Sequence, residues 1–267
     1  MKETHLFYLP DLATSGEMPA EEGGHAVRVL RMREGDALWA TDGRGTFYAC
    51  RLVAATPKHC AVEVEERLTV PRTWNGGIHL AVAATKNMDR MEWLAEKATE
   101  IGFDSLTFLD CRNSERRVVK TERIEKIVVA ALKQSHKAWK PLVAGPVPLA
   151  EFLSRPFAGQ KFIAHCHAAA SVGGAFEGLL AGTGVSTLLA GAVAPTGDAL
   201  VLIGPEGDFT PDEVAAAEAA GFQAVSLGSS RLRTETAALV AVHLMNLAKS
   251  GSPAPAPPHP LTPCSNS

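Results

Sequence analysis

The stretch Ala199–Val214, "ALVLIGPEGDFTPDEV", holds a run of branched apolar residues, a glycine-containing loop and the start of a helix. The run is short, continuous and apolar, the pattern of a strand buried on both faces. The helix start is fully specified: Thr210 can cap it, Pro211 suits the first helical position, and Glu213 stands where a capping box wants its carboxylate. Gly221 supplies the stop. Strand, glycine loop and helix N-terminus are the parts of a phosphate cradle, yet the details point elsewhere. A P-loop needs a Lys and a Ser or Thr after its last glycine, and a dinucleotide fingerprint needs three glycines in G-x-G-x-x-G spacing. Here Gly204 and Gly207 are the only pair, no Lys follows, and Glu206 with Asp208 would repel a phosphate. The loop suits a ligand of little negative charge or one with a positive centre; the alternative is a plain strand-to-helix turn with no ligand.

Upstream, the texture divides the chain. From about residue 25 to 70 the runs are short and β-prone, with Asp42-Gly43-Arg44-Gly45 between two of them as a hairpin signal. "HCAVEVEERL" adds an alternating strand, so residues 1–70 read as a small β-barrel and 71–77 as a linker. After it, "IHLAVAAT" from Ile78 is a buried strand, and Met88, Met91, Leu94, Ala95, Ala98 and Ile101 form one helical stripe closed by Gly102. Ile124, Ile127, Val128, Ala131 and Leu132 mark a second amphipathic helix. "SLTFL", "KFIAHC", "ALVLIG" and "FQAVSLG" are further strands, and Thr234 to Lys249 a closing helix. Strands alternating with helices over residues 78–250 predict a parallel α/β sheet covered on both faces. In such sheets ligands bind beyond the carboxyl ends of the strands, and two strands here run into glycine, at Gly204 and Gly228. Ala168 to Gly197, rich in Ala and Gly, yields no assignable element, and the proline-rich tail 251–267 reads as disordered.

Five scattered cysteines without a C-x-x-C pair suit a reducing compartment and neither a disulfide framework nor a zinc scaffold. The N-terminal stretch lacks a signal-peptide apolar region and no apolar run is long enough to span a bilayer, so the expectation is a soluble, cytoplasmic protein with no membrane partner. Net charge is −3, but residues 111–140 carry nine Lys or Arg against three Glu. That segment is either a solvated face or a polyanion-binding one; Asn113, Ser114, Gln134 and Ser135 interleaved with the basic residues favour contacts to phosphate and sugar.

With "LIGPEGDFTPDEV", "GFQAVSLG" and "SRLRTETAALVAVHLMN" in one chain, the sequence resembles the ribosomal RNA small-subunit methyltransferase E family. The match extends upstream through "HAVRVLRMREGD", "DGRGTFY", "KNMDRMEWLAEKATEIG", "ERRVVK" and "KQSHKAWKP", covering most of residues 5–248. It departs at Lys133, Gln134, Ser135, His136 and Lys137, where members often carry Glu-Gln-Ser-Gly-Arg, losing a bidentate Arg fork at 137. It departs again at Ser229, Ser230 and Arg231, where Pro-Arg-Ile is common. The resemblance implies a PUA-like β-barrel for RNA, a trefoil-knotted parallel-sheet SPOUT domain for the cofactor, and a homodimer. The activity it implies is transfer of methyl from S-adenosyl-L-methionine to N3 of a uridine in 16S small-subunit ribosomal RNA, free or in the assembled 30S subunit, without a metal.

For the cofactor the resemblance points to Leu202, Ile203, Gly204, Pro205, Glu206, Gly207, Leu227, Gly228, Leu232 and Thr234. A sulfonium cation without phosphate agrees with a loop that has carboxylates and no Lys. Uracil N3 carries a proton and is a poor nucleophile until it leaves, so a base and a cationic donor are needed. "RLRTET" offers Arg233 for the developing charge, Glu235 as base and Thr234 to orient them; the alternative gives Thr234 and Glu235 to helix capping. The expected RNA contacts are Arg28, Arg31, Lys86, Arg90, Arg112, Ser114, Arg116, Lys133, Gln134, Ser135 and Lys137. His165 and His167 around Cys166 lack a third ligand nearby, and no metal is expected. Rival readings are another SPOUT reaction, such as ribose 2′-O methylation, and a non-catalytic RNA-binding assembly protein.

Overall fold

The computed structural model describes residues 5–56, 59–165 and 187–250. Most of the unassigned stretch 168–197, and all of the tail 251–267, lie outside them. The described chain forms two compact units, one holding the residues up to Thr73 together with Val129–Lys140, the other Trp74–Val128 and the described residues between 141 and 250.

The first unit is built on a mixed sheet of four strands in the order β1-β2-β3-β4: Leu6–Tyr8, Ala37–Thr41, Thr46–Ala55 and Cys60–Thr69. β1 runs parallel to β2, and the other neighbours are antiparallel. The Asp-Gly signal forms the β2–β3 hairpin, with positive φ at Gly43 and Gly45. Asp42 closes it from inside: Oδ1 accepts from the Arg44 N–H at 2.7 Å and Oδ2 from the Tyr48 hydroxyl at 3.0 Å. Helix α1, Ala20–Gly24, runs on into a π-helical turn, His25–Val29. Phe7, Leu9, Leu38, Cys50, Leu52 and Val62 are the centre of this unit's core.

The second unit is a six-stranded, wholly parallel sheet in the order β10-β8-β9-β5-β6-β7. Its strands are Ile78–Ala83 (β5), Ser105–Asp110 (β6), Leu142–Pro148 (β7), Gln160–Ala164 (β8), Ala199–Ile203 (β9) and Gln223–Val225 (β10). The helices are Met88–Ile101 (α2), Thr121–Gln134 (α3, whose last turns belong to the first unit), Leu149–Ser154 (α4), Leu189–Ala192 (α5), Pro211–Ala219 (α6) and Thr234–Lys249 (α7). Period-two alternation distributes β9 between two cores. Ala199, Val201 and Ile203 join Met91, Leu94, Ile124, Ala241 and Met245 on one face. Leu200 and Leu202 join Leu149, Phe209, Val214 and Ala217 on the other. A continuous apolar run is what a strand buried on both sides requires. Trp74, expected in a linker, is buried in this unit, its indole N–H donating to Asp104 Oδ2 at 2.9 Å. The last turn of α7 is pinned by fully buried Lys249, whose ammonium donates to the Gly197 and Ala194 carbonyls; burial pushes its pKa below the ordinary value.

Candidate functional site

Val82, Ile203, Ala164 and Val225 stand in register, so the carboxyl ends of β5, β9, β8 and β10 open on one edge of the sheet. Past β9, Gly204 and Pro205 are still buried, and a turn over Pro205–Asp208 closes with the Asp208 N–H donating to the Pro205 carbonyl at 2.9 Å. Asp208 takes φ 60, a conformation Asp tolerates better than most residues, and its Oδ1 accepts from the Phe209 N–H at 2.8 Å. A side chain on Gly204 would meet Phe209 and Asp208 within about 3.2 Å. Gly204 is therefore small for the loop's own sake, because the chain folds back on the strand end. Gly228 differs: at φ 121 it faces open space. Ser226 holds that loop, its hydroxyl accepting from the Gly228 N–H and donating to the Gly228 carbonyl, both at 3.2 Å. Leu202 and Ile203, expected as walls for a ligand, are core residues on opposite faces of the sheet; Leu227 and Leu232 are half-buried.

The capping box forms in full. Glu213 N–H donates to Thr210 Oγ1 at 3.3 Å, and Thr210 N–H donates to Glu213 Oε2 at 2.8 Å. The other carboxylate oxygen, Oε1, accepts from the Arg112 N–H at 2.8 Å. Asn113 Nδ2 donates to the carbonyls of Gly207 and Asp208 at 3.2 and 3.1 Å. Arg116 donates twice to the Lys86 carbonyl, at 3.1 and 2.9 Å, and the Lys86 N–H reaches Glu206 Oε1 at 3.4 Å. The loops after β5, β6 and β9 are thus bonded to one another.

Arg233, exposed, is the N-cap residue of α7 and makes no side-chain cap; Thr234, expected as an orienting or capping residue, is buried inside the first turn. Glu235 is 7% exposed. Its Oε1 lies 3.7 Å from Arg90 Nε, and its buried Oε2 has no hydrogen-bond partner. A cavity of about 290 Å³ lined by Asp89, Arg90, Trp93, Glu235 and Thr236 opens beside it. The first turn of α2 is set for this by Asn87, whose side chain accepts from the Asp89 N–H at 2.9 Å.

Of the residues expected to meet RNA, Arg28, Arg31, Lys86, Arg112 and Gln134 are exposed. Others are engaged within their own units. Ser114 is buried and its hydroxyl accepts from the Cys111 N–H at 3.0 Å, so it orders the turn after β6. Arg116 is spent on the Lys86 carbonyl and Arg90 stands beside Glu235. Lys133 pairs with buried Glu22 at 2.6 Å, the Ser135 hydroxyl donates to the Ala131 carbonyl at 2.6 Å, and burial pushes the pKa of half-buried Lys137 below its ordinary value. Cys166 and His167 lie outside the described residues. Among the described residues no helix is long and apolar enough to cross a membrane. Asp89 and Thr236 carry no local signal of a site; Trp93, like Met88 and Met91, is of a type that can stack on a base, and only the fold brings α2 to the start of α7.

Residues 73–246 match the RNA methyltransferase domain family, and residues 19–65 the RNA methyltransferase PUA domain. The ribosomal RNA small subunit methyltransferase E of Mycobacterium bovis is 32% identical over 246 residues, covering 89% of each chain. That of Bacillus subtilis is 28% identical, with 86% of this chain and 89% of the relative covered. Among solved structures, a probable rRNA-methyltransferase from Porphyromonas gingivalis has a TM-score of 0.79 at 40% identity, over 92% of this chain and 98% of that one. A ribosomal RNA small subunit methyltransferase E from Neisseria gonorrhoeae, bound to S-adenosyl methionine, has a TM-score of 0.75 at 27% identity, with the same coverage.

Proposed function

The chain belongs to the ribosomal RNA small subunit methyltransferase E family, and from that premise we propose that it transfers the methyl group of S-adenosylmethionine to N3 of a uridine in 16S ribosomal RNA. The observation that carries this reading is the buried Glu235 carboxylate, one oxygen facing Arg90 and the other without a partner, beside a cavity at the start of α7. S-adenosylmethionine, when bound, supplies a methyl group made electrophilic by its sulfonium centre. The residues present fit such a group: the positive-φ Gly228 opens onto free space, Leu227 and Leu232 offer apolar surface, and the Gly204–Asp208 turn carries carboxylates and no lysine.

The Glu235 carboxylate accepts the proton that leaves uracil N3. Arg233, exposed at the mouth of α7, compensates the negative charge that spreads to the flanking carbonyl oxygens. Alignment and charge compensation suffice for the displacement, so no metal is needed. The bonds from Asn113 and Glu213 hold the glycine turn and the 112–116 loop as one surface.

The trefoil knot belongs to the same reading. It is supported by a strand order in which β8 and β9 lie on the opposite side of β5 from β6 and β7. So does a homodimer: α7 carries exposed Leu247 and half-buried Val240 and Leu244 beyond its buried stripe, too apolar for a wet face. Sedimentation at low micromolar concentration should show a dimer; monomer alone would refute it.

The deciding experiment incubates the protein with S-adenosylmethionine and either 16S RNA or assembled small subunits, then analyses the nucleosides by mass spectrometry. N3-methyluridine is the expected product. A ribose-methylated nucleoside would replace the proposed reaction with another, and no methylation together with no calorimetric binding of S-adenosylmethionine would make the chain a non-catalytic RNA-binding protein.

A further inference from the structure

Val118 is 74% exposed, more than any other large apolar side chain among the described residues. A single exposed apolar side chain is ordinary; what sets this one apart is how firmly its segment is held. Residues 115–120 lie in neither helix nor strand, yet side-chain bonds fix the stretch from several directions. Arg117 Nη1 pairs with Asp110 Oδ1 at 2.6 Å, Arg116 donates twice to the Lys86 carbonyl, and Lys86 Nζ reaches Glu115 Oε2 at 3.4 Å. Val119, next in the chain, is buried in the core with Met91 and Ile124. Val118 is thus kept in solvent by a segment anchored on both sides of it, and its β-branched side chain is stiff at χ1. The same bonds join it to the glycine turn, because the Lys86 N–H reaches Glu206 Oε1.

The surrounding sequence is cationic: residues 112–123 hold Arg112, Arg116, Arg117, Lys120 and Arg123 against Glu115 and Glu122. Arg123 is paired with Glu92, whereas Arg112 and Lys120 stand exposed on either side of the tip in sequence. A stiff apolar tip between cations suits a stacked polyanion, the charges meeting phosphates and the tip meeting base faces. A protein partner would call for a wider apolar patch. The reaction supplies the need. N3 lies on the pairing edge of uracil, so a base held in a pair or a stack does not present it to a methyl donor, and drawing the nucleotide out costs unstacking. We propose, on the footing of the methyl-transfer reading above, that Val118 is a wedge: it enters the RNA stack beside the target uridine and fills the space the base leaves, while Arg112 and Lys120 hold flanking phosphates. Val118 is a positioning residue, touching neighbouring bases and none of the reacting atoms.

The test assays the full-length protein with S-adenosylmethionine and folded 16S RNA. Val118→Ala should lower kcat/KM about 10- to 100-fold, the scale of one unstacked base step, and Val118→Phe, a larger wedge, should retain wild-type activity. Binding to oligouridylate, whose bases are already unstacked, should be the same in all three proteins, as should calorimetric binding of S-adenosylmethionine. Val118→Trp reports the insertion directly: folded 16S RNA should quench its fluorescence beyond the quench seen in the wild type. Wild-type kcat/KM in Val118→Ala, an equal loss of oligouridylate binding, or no added quench in Val118→Trp overturns the wedge. So does a changed sedimentation profile in Val118→Ala, which would give the tip to a second copy of the chain. If the wild-type protein makes no N3-methyluridine, the reaction assigned above has failed, while the Val118→Trp quench still decides whether the tip enters RNA.

Discussion

Glu235 and Arg233 stand two residues apart, and the fold treats them oppositely: the carboxylate is buried beside a cavity and the guanidinium is exposed at the helix mouth. In the proposed reaction, proton removal falls to Glu235 and charge compensation to Arg233. Arg233→Ala should lower turnover by about two to three orders of magnitude, the scale for losing one preorganised donor, with S-adenosylmethionine affinity retained in calorimetry. Glu235→Gln should lose rate most at low pH and partly recover as pH rises, because uracil N3–H then ionises without help. A flat ratio of variant to wild-type rate across pH would return Glu235 to a helix-end role. The thiols give a second residue-level test. Burial, reinforced by the nearby Glu213 and Asp110 carboxylates, pushes Cys111 from 9.0 up to about 12, and burial with Glu65 does the same for Cys50. A thiol raised in the fold favours the neutral form, so its contribution to stability is present below pH 9.0 and is lost as pH climbs toward about 12. Iodoacetamide at neutral pH should therefore leave both cysteines unlabelled until denaturant is added; labelling of either in the folded protein at the rate of a free thiol would contradict their burial.

Among the elements, α6 shows what short-range pattern can and cannot convey. Its cap, first-position proline and stop were all readable from "TPDEV" and Gly221, because each acts within one turn. The double use of Glu213 was not readable: its second oxygen holds the Arg112 N–H, a partner from another strand's loop. Thr210→Ala removes the cap bond and the hydroxyl's own bond to Glu213 Oε2 at 3.0 Å, and should cost about 1 kcal/mol in urea unfolding. Glu213→Ala also removes the bond to the Arg112 N–H and should weaken S-adenosylmethionine binding besides; equal cofactor affinity in the two variants would show that this bond positions nothing. The same limit explains the other differences. Gly204 looked like room for a ligand and is room for Phe209; Ser114 looked like a contact for RNA and is buried in a turn. The strands and helices of the second unit were legible because period-two and helical stripes are local. The Glu235–Arg90 approach was not, because the two residues meet only when α7 packs beside α2.

For the molecule as a whole, a chain of net charge −3 must bind a polyanion through a minority of well-placed cations. Placement separates the basic residues into two groups. Arg28, Arg31 and Arg112 are exposed, whereas Lys133 is half-buried against Glu22 and Arg116 donates to the Lys86 carbonyl. Only the first group can release counterions from RNA without first breaking an internal bond. Replacing Arg28 and Arg31 together, or Arg112 alone, with Gln should weaken RNA binding and flatten its salt dependence, by about 0.7 to 0.9 in the log–log slope for each lost phosphate contact. S-adenosylmethionine affinity should not change. Lys133→Gln should behave differently: it leaves the buried Glu22 carboxylate without its cation, so the effect should appear as a lower melting temperature with the salt slope nearly intact. If the exposed-arginine variants keep the wild-type slope, those residues are a solvated surface; if Lys133→Gln flattens it instead, the Glu22 pair opens on RNA and the basic segment binds by exchanging one carboxylate for another anion.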